Sequence, residues 1–544
     1  MSARSSPDGR DEYVLLSDVH LNEILAPNAP IAKGTEGWWE YKAPASSQDG
    51  ALAAFFVAID ARRPAWFERT VVIFNGDTFD FDTCFSSPAG HPAPPEGLPP
   101  TIDGSVYKMG RMLADHPGFV AALATFLAHG NRVVFVFGNH DRELHFPEVQ
   151  EVLIQRVAAA APAGCGAQVA AAIGFEPWFV HVPGVLYAEH GNQYDATCSY
   201  RDVLDPSVPG DRAHALELET PFGSLLGRHT LCRLGTFNPY NDESFILSLG
   251  GYFAHWRRFY FFGRRPFFRA YAVAMWRGMR ELRGRRRRQL ASRTRTPTPA
   301  PTPAPTPSPR PSPAPASPAR RKRPQTQEDI AQSPAYLAYA AAKRVDPSYI
   351  ARALRLSSQP IVDKLSLLFH EVWIDRFAFL LIATTVLVVG IALVQQWYQV
   401  LLLLMLLPAI FFVMRAMGRG SLALQERARW GLVAESIAES LGVPVVCFGH
   451  SHRPERRPLT QGGRYYNLGS WAPVLPADRG STLARARRYL VVRPDANGRV
   501  HAVFARWGAP DAERTDWGES TPPGTRGPGT AGLAPAGDPP GSDL

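Results

Sequence analysis

Residues Phe377 to Met414 form a run of 38 residues without a charge, and any fold of this chain must find a place for it. A helix crosses the hydrocarbon core of a bilayer with about 20 apolar residues. The run therefore suffices for two crossings, joined at the polar stretch Gln395-Gln396-Trp397. Arg376 precedes it, Arg415 and Arg419 follow it, and the turn carries no charge. Because cytoplasmic flanks collect Lys and Arg, both ends of this transmembrane helical hairpin are expected in the cytoplasm. Two core helices of a soluble domain are the alternative, disfavoured by the length of the run.

At 544 residues the chain exceeds what one hydrophobic core usually organises, which predicts one large domain with appended segments. Runs rich in β-branched and aromatic residues at 13–16, 70–74, 132–137, 185–188 and 444–448 read as buried strands. Helical patterns occupy Ala51 to Arg62 and Phe119 to His129, the second followed by Gly130 at a C-cap position. This alternation predicts an α/β fold with strands covered on both faces. Alternating runs at 486–492 and 499–505 read as closing strands.

The formal charge of +9 is concentrated in Arg-rich stretches near 257–288 and 320–323, so it reports local attraction to an anionic surface. Tyr252 to Arg288 holds twelve Arg and eleven aromatic residues against one acidic residue, Glu281. That mixture suits a lipid headgroup boundary; single-stranded nucleic acid is the less favoured partner. Thr296 to Pro318 alternates Pro with Thr, Ala and Ser and predicts an extended tether. From Gly508 onward the composition predicts a disordered tail. Cys84, Cys165, Cys198, Cys232 and Cys447 are odd in number and lack CxxC spacing, against a disulfide framework or a thiolate zinc site. Met1 to Glu12 is polar, so no cleaved secretory signal is expected there.

Each predicted strand among the first five ends on a short polar motif: Asp18-Val19-His20, Gly76-Asp77, Gly138-Asn139-His140-Asp141, Glu189-His190-Gly191-Asn192 and Gly449-His450-Ser451-His452. Open α/β folds gather ligands at the carboxyl ends of their strands, and these residues supply Asp, His and Asn donors for two metal ions. The 260 residues between His190 and His450 far exceed a loop, so an insertion interrupts the fold. If both histidines serve one site, the apolar run must cross an even number of times.

In these five motifs the chain resembles the calcineurin-like metallophosphoesterases, whose pattern is DxH, GD, GNH[DE], a later His and GHxH. The resemblance covers roughly residues 11–200 and 425–507. It implies a metallophosphoesterase-type β-sandwich flanked by helices and interrupted by the hairpin-bearing insertion. It also implies that Asp18, His20 and His452 hold one divalent ion, that Asn139, His190 and His450 hold the other, and that Asp77 bridges them. Such donors suit Mn first, with Fe, Zn or Co as alternatives. His140 would face the phosphoryl group, with Asp141 orienting its ring. Asn22, Arg142 and Arg453 adjoin the motifs and are candidates to grip a substrate phosphate. A looser similarity links the chain to the UDP-2,3-diacylglucosamine pyrophosphatases, which typically carry Arg where His140 stands and lack such a hairpin.

The expected organisation is a catalytic domain in two parts, 11–200 and 425–507. Between them lie a basic-aromatic helical insertion (201–292), a Pro-rich linker (293–326), a helical segment (327–376) and the hairpin (377–417); the tail is 508–544. The expected function is hydrolysis of a phosphoester or pyrophosphate, lipid-linked in the favoured case, by an enzyme anchored in a bacterial inner membrane with its catalytic domain in the cytoplasm. Its membrane contacts would be 252–288 and 377–417. A soluble nucleotide or phosphoprotein substrate, or a membrane scaffold with an inactive site, are the alternatives.

Overall fold

The computed structural model describes residues 11–26, 42–44, 47–90, 97–209, 216–228, 240, 276, 280, 283–284, 327–371, 374–394, 396–418, 422–474, 486–495 and 497–508. Most of the basic-aromatic segment, the Pro-rich linker and the tail beyond residue 508 lie outside the described residues. The chain is a mixed α/β protein. Its first sheet contains β1 (Asp11–Leu16), β2 (Arg69–Asn75), β3 (Arg132–Val136), β4 (Ile173–Glu176), β12 (Arg488–Pro494) and β13 (Val500–Arg506), in the order β13-β12-β1-β2-β3-β4. The second contains β5 (Phe179–Val182), β6 (Leu186–Glu189), β9 (Val445–Phe448), β10 (Pro454–Pro458) and β11 (Arg464–Leu468), in the order β10-β11-β9-β6-β5. A separate pair joins β7 (Ser207–Pro209) to β8 (Leu216–Leu218).

Side chains alternate across a strand, and here the alternation sorts residues into separate cores. Tyr13, Leu15, Val71 and Ile73 of the first sheet meet Leu186, Ala188, Val445 and Cys447 of the second in a core shared by both sheets. The intervening Val14, Leu16, Val72 and Phe74 face helices instead. Those helices are α1 (Asp49–Ala61), α2 (Ile102–Asp115), α3 (Pro117–Ala128) and α4 (Pro147–Ala159). On the far side, Tyr187, Val446 and Phe448 pack against α5 (Gln327–Ala331), α6 (Pro334–Lys343), α7 (Pro347–Leu356) and a 20-residue helix, Leu422–Leu441. That helix buries Trp430, Val433, Ala434, Ile437 and Ala438, the i, i+3, i+4 stripe of a helix lying on a sheet. Three of these four helices, α5 to α7, come from the stretch 327–376 expected between the two parts of the domain, so that stretch packs on the body of the fold.

The apolar run is helical: α8 (Leu365–Glu371) leads to α9 (Ile374–Leu393), α10 (Trp397–Leu404) and α11 (Leu406–Gly418), and Leu422–Leu441 follows as α12. The last two apolar helices meet at Met405, close before Pro408, which lacks a backbone donor. Trp397–Met414 is long and apolar enough to cross a membrane; the apolar part of α9, Ala378–Leu393, is shorter. Leu381 and Leu393 are 69% and 76% exposed, a burden in water that a bilayer would remove. Arg376 Nη2 donates to the Met417 carbonyl at 3.0 Å, so the start of α9 lies beside the end of α11.

Candidate metal centre

Five parallel strand ends converge on one place. β1, β2 and β3 are successive parallel neighbours, and β6 and β9 are parallel neighbours in the other sheet. The loops that leave them are stitched together: Asp18 N donates to Gly76 O (3.1 Å), His20 N to Asp77 O (3.0 Å) and Gly449 N to His190 O (2.9 Å). Asn75 Nδ2 joins the two sheets by donating to Glu189 O at 2.7 Å. The backbone there is unusual. Asp18, His20, Asp77, His450 and His452 all adopt positive φ, between 51° and 65°. A non-glycine residue in that region costs about 1–3 kcal/mol and persists where the surrounding structure over-determines it.

These turns aim their side chains at one another. Asp18, His20, Asp77 and His452 form one group with donor atoms within 4.8 Å, and Asp77, His190 and His450 form a second. Asp77 belongs to both. His452 Nε2 lies 3.0 Å from Asp18 Oδ1, His20 Nε2 lies 3.2 Å from His452 Nε2, and His190 Nε2 lies 3.1 Å from Asp77 Oδ2. Yet Asp18 Oδ1, Asp77 Oδ2, Asn139 Oδ1 and His190 Nε2 are buried with no hydrogen bond among the described residues. Converging, unsatisfied lone pairs of carboxylate, amide and imidazole are what a cation satisfies. His190 Nδ1 lies 3.0 Å from the Asn75 carbonyl, which can only accept; that contact fixes the proton on Nδ1 and leaves Nε2 as the donor atom. These groups could hold metal ions.

The electrostatics agree. Burial works against the charge on Asp77, but His190 and His140 outweigh it and hold the carboxyl well below its ordinary range. Burial likewise opposes protonation of His190, but Asp77 and Asp18 push it up to about 9. The buried carboxylates thus demand positive charge at the point where the two groups meet.

Glycines make room for this convergence. A β-carbon on Gly449 would overlap the Ser17 hydroxyl and press on Asp18 Oδ2 at 2.7 Å. One on Gly76, itself at φ 86°, would enter the His190 ring. Gly449→Ala is expected to lower stability by about 1–3 kcal/mol, the scale of overpacking, and to weaken metal binding at Asp18. Denaturant unfolding and a metal titration measure the two effects separately.

Comparison with protein-family models, with curated proteins and with solved structures found no match.

The candidate catalytic and substrate residues divide. His140 is partly exposed beside the donor groups, and its backbone N donates to Asp77 Oδ1 at 2.8 Å. Its ring is not held by Asp141, as its position in the sequence suggested. Asp141 instead accepts from Gly138 N (2.6 Å) and Thr78 N (2.7 Å), bracing the loop. Asp80 orients the ring: Oδ1 lies 3.1 Å from His140 Nδ1 while Oδ2 lies 3.3 Å from His20 Nδ1. Burial opposes protonation of His140, but Asp80, Asp77 and Asp82 push it up to about 10, in the direction that favours the protonated ring.

Arg142 is not placed to grip substrate. It is fully buried, its guanidinium forks onto Asp82 at 2.8 and 3.1 Å, and it donates to Asn139 O at 2.8 Å. Asn22 is buried, its carbonyl 2.9 Å from His116 Nε2 and its Nδ2 without a hydrogen bond among the described residues. Arg453 is exposed next to His452. Asp80, Asp82 and Asp195 are the site residues that reading the motifs did not single out. For the first two the sequence carried a signal, since Asp77, Asp80 and Asp82 follow in quick succession after β2.

Proposed function

We propose that this chain is a dinuclear-metal phosphoester hydrolase of the metallophosphoesterase type, held at a membrane by a hairpin of its apolar helices. The observation that carries the reading is the pair of donor groups sharing Asp77 at the carboxyl ends of five strands, with His140 beside them. Asp18, His20 and His452 would hold one divalent ion, Asn139, His190 and His450 the other, and Asp77 both. Two such ions, Mn foremost, would supply Lewis-acid charge neutralisation for hydrolysis at phosphorus.

The chain's own residues do the rest. Asp80 anchors His140 through Nδ1, which leaves Nε2 to stabilise a phosphoryl oxygen or to protonate the leaving oxygen. Asp82, clamped by Arg142, adds negative charge 3.5 Å from the same Nδ1. His140→Ala is expected to lower turnover about 10²- to 10⁴-fold, the usual range for a general acid, while two metals stay bound; metal content measured beside turnover checks it. Equal metal loss in this variant would remove the role given to His140.

Exposure of α9 to α11 and the Arg376–Met417 contact support a hairpin with both ends on one face of the membrane. Flanking arginines favour the cytoplasmic face of a bacterial inner membrane. Such an anchor suits a phosphoester or pyrophosphate carried on a lipid. The test is hydrolysis by Mn-loaded protein of aryl phosphomonoester, aryl phosphodiester, cyclic nucleotide, nucleoside diphosphate-lipid and phospholipid, with chelator-treated protein as the blank. Metal-dependent turnover is expected, greatest on a lipid-linked member. No turnover above the blank on any member overturns the enzyme reading.

A further inference from the structure

The His450 ring, like that of His20 beside Asp80, has a carboxylate behind it. Its Nε2 lies 3.1 Å from Asp195 Oδ2, a residue 255 positions away in the chain. A carboxylate only accepts, so this contact places the ring proton on Nε2 and leaves the lone pair on Nδ1, and His450 is one of the group with Asp77 and His190. The other oxygen of Asp195 is already committed, accepting from Thr197 N at 2.8 Å and Thr197 Oγ1 at 2.7 Å. The carboxylate is therefore fixed in rotation, with one edge for its own loop and one for His450.

That loop is held by the two segments that flank the apolar helices. Ser358 N donates to Gln193 O at 2.7 Å and Ile361 N to Ala196 O at 2.8 Å, both from the stretch leading into α8. Arg201 Nη2 reaches Asp363 Oδ1 at 2.7 Å, and Ala196 packs with Phe222, Ile361 and Leu368. From the other flank, Trp430 Nε1 on α12 donates to Tyr194 O at 3.3 Å, and the Trp430 ring lies 5.9 Å from that of His450. The carbonyls of residues 193, 194 and 196, which bracket Asp195, all accept from these flanks.

We propose that Asp195 is the positioning residue of His450, setting its tautomer and ring direction, and that the segments flanking the apolar helices clamp it in place. The inference rests on His450 being a ligand in the proposed dinuclear centre. It gives the insertion a part in assembling one of the two metal positions, in addition to any anchoring.

Cys198 sets the competing arrangement. Asp195, Cys198 and His450 also lie close enough to share an ion, in which case Asp195 would be a ligand itself and Cys198 would matter equally. Calorimetric titration of metal-free, full-length protein in detergent with Mn²⁺ separates these cases. Wild type is expected to take two ions. Asp195→Asn is expected to weaken one of them about 10- to 100-fold, the usual effect of losing a carboxylate behind a ligand histidine, and to leave the other unchanged. Asp195→Glu, which retains the charge, is expected to recover part of the loss, and Cys198→Ser to bind as wild type. Thermal unfolding of each variant identifies any that fails to fold, and Asp195→Glu then carries the comparison. Two ions at wild-type affinity in the folded Asp195 variants overturn the inference, as does equal loss in Cys198→Ser. Wild type that binds no Mn²⁺ overturns the dinuclear centre itself, and the inference with it.

Discussion

Asp77→Asn is expected to lose both metal ions and to reduce hydrolysis by about 10³-fold or more, at least the scale seen when one charge-stabilising group is removed from an active site. The substitution is nearly isosteric, so the reason lies in charge and hydrogens. Asp77 Oδ1 accepts from His140 N at 2.8 Å, and an amide oxygen can keep that bond. The amide nitrogen then takes the place of Oδ2, 3.1 Å from His190 Nε2, and presents two hydrogens where both donor groups need a lone pair. The backbone does not object: φ at Asp77 is 51°, and Asn enters that region more readily than most residues. Loss of function without loss of fold is the outcome. Elemental analysis of the purified variant and its rate on an aryl phosphodiester are the measurements. Two bound ions with more than about a tenth of wild-type activity, a deficit of only ~1.4 kcal/mol, would refute the shared role of Asp77.

The strands were legible because their residues leave few alternatives. Tyr13 to Leu16 and Val71 to Phe74 are apolar at every position, too short for a buried helix and rich in β-branched and aromatic residues, which points to a strand covered on both faces. The convergence of the Asp and His side chains was legible for a related reason, since polar motifs stand immediately after those runs. What the sequence did not carry was direction and long-range register. Asp141 and Arg142 follow His140 in the chain, but the 3-10 turn at Arg142–His145 takes them inward, where Asp141 meets Gly138 and Thr78 and Arg142 meets Asp82. The carboxylates that hold histidines come from elsewhere: Asp80 from after β2 and Asp195 from a loop bonded by Ser358 and Ile361, more than 150 residues on in the chain. Neither contact has a local periodicity to betray it. The positive-φ backbone at five of the candidate ligands is equally silent in sequence, because Asp and His give no glycine-like sign of it.

Replacing residues 377–414 with a short Gly-Ser linker is expected to move the protein from the membrane pellet to the soluble fraction while both metals and hydrolysis of a small aryl phosphodiester remain. The geometry permits the join, because Arg376 reaches the Met417 carbonyl at 3.0 Å and the cut ends lie close together. A linker residue spans at most ~3.3–3.6 Å, so a few suffice. The energetics concentrate in the deleted part. Trp397–Met414 contains eleven Leu, Ile, Val and Phe residues, which at about 0.3–0.6 kcal/mol each favour insertion by roughly 3–7 kcal/mol. The clamp on Asp195 lies outside the cut, in Ser358, Ile361, Asp363 and Trp430, so the deletion should spare the metal centre. Hydrolysis of a lipid-linked substrate in vesicles is expected to fall far more than hydrolysis of the soluble diester, since the proposed anchor would act by bringing the site to the bilayer. A truncated protein that still pellets with membranes places the anchor in the Arg-aromatic segment 252–288. One that loses its metals makes the apolar helices part of the structural frame of the site, because the flanks would then depend on them to hold the loop that carries Asp195.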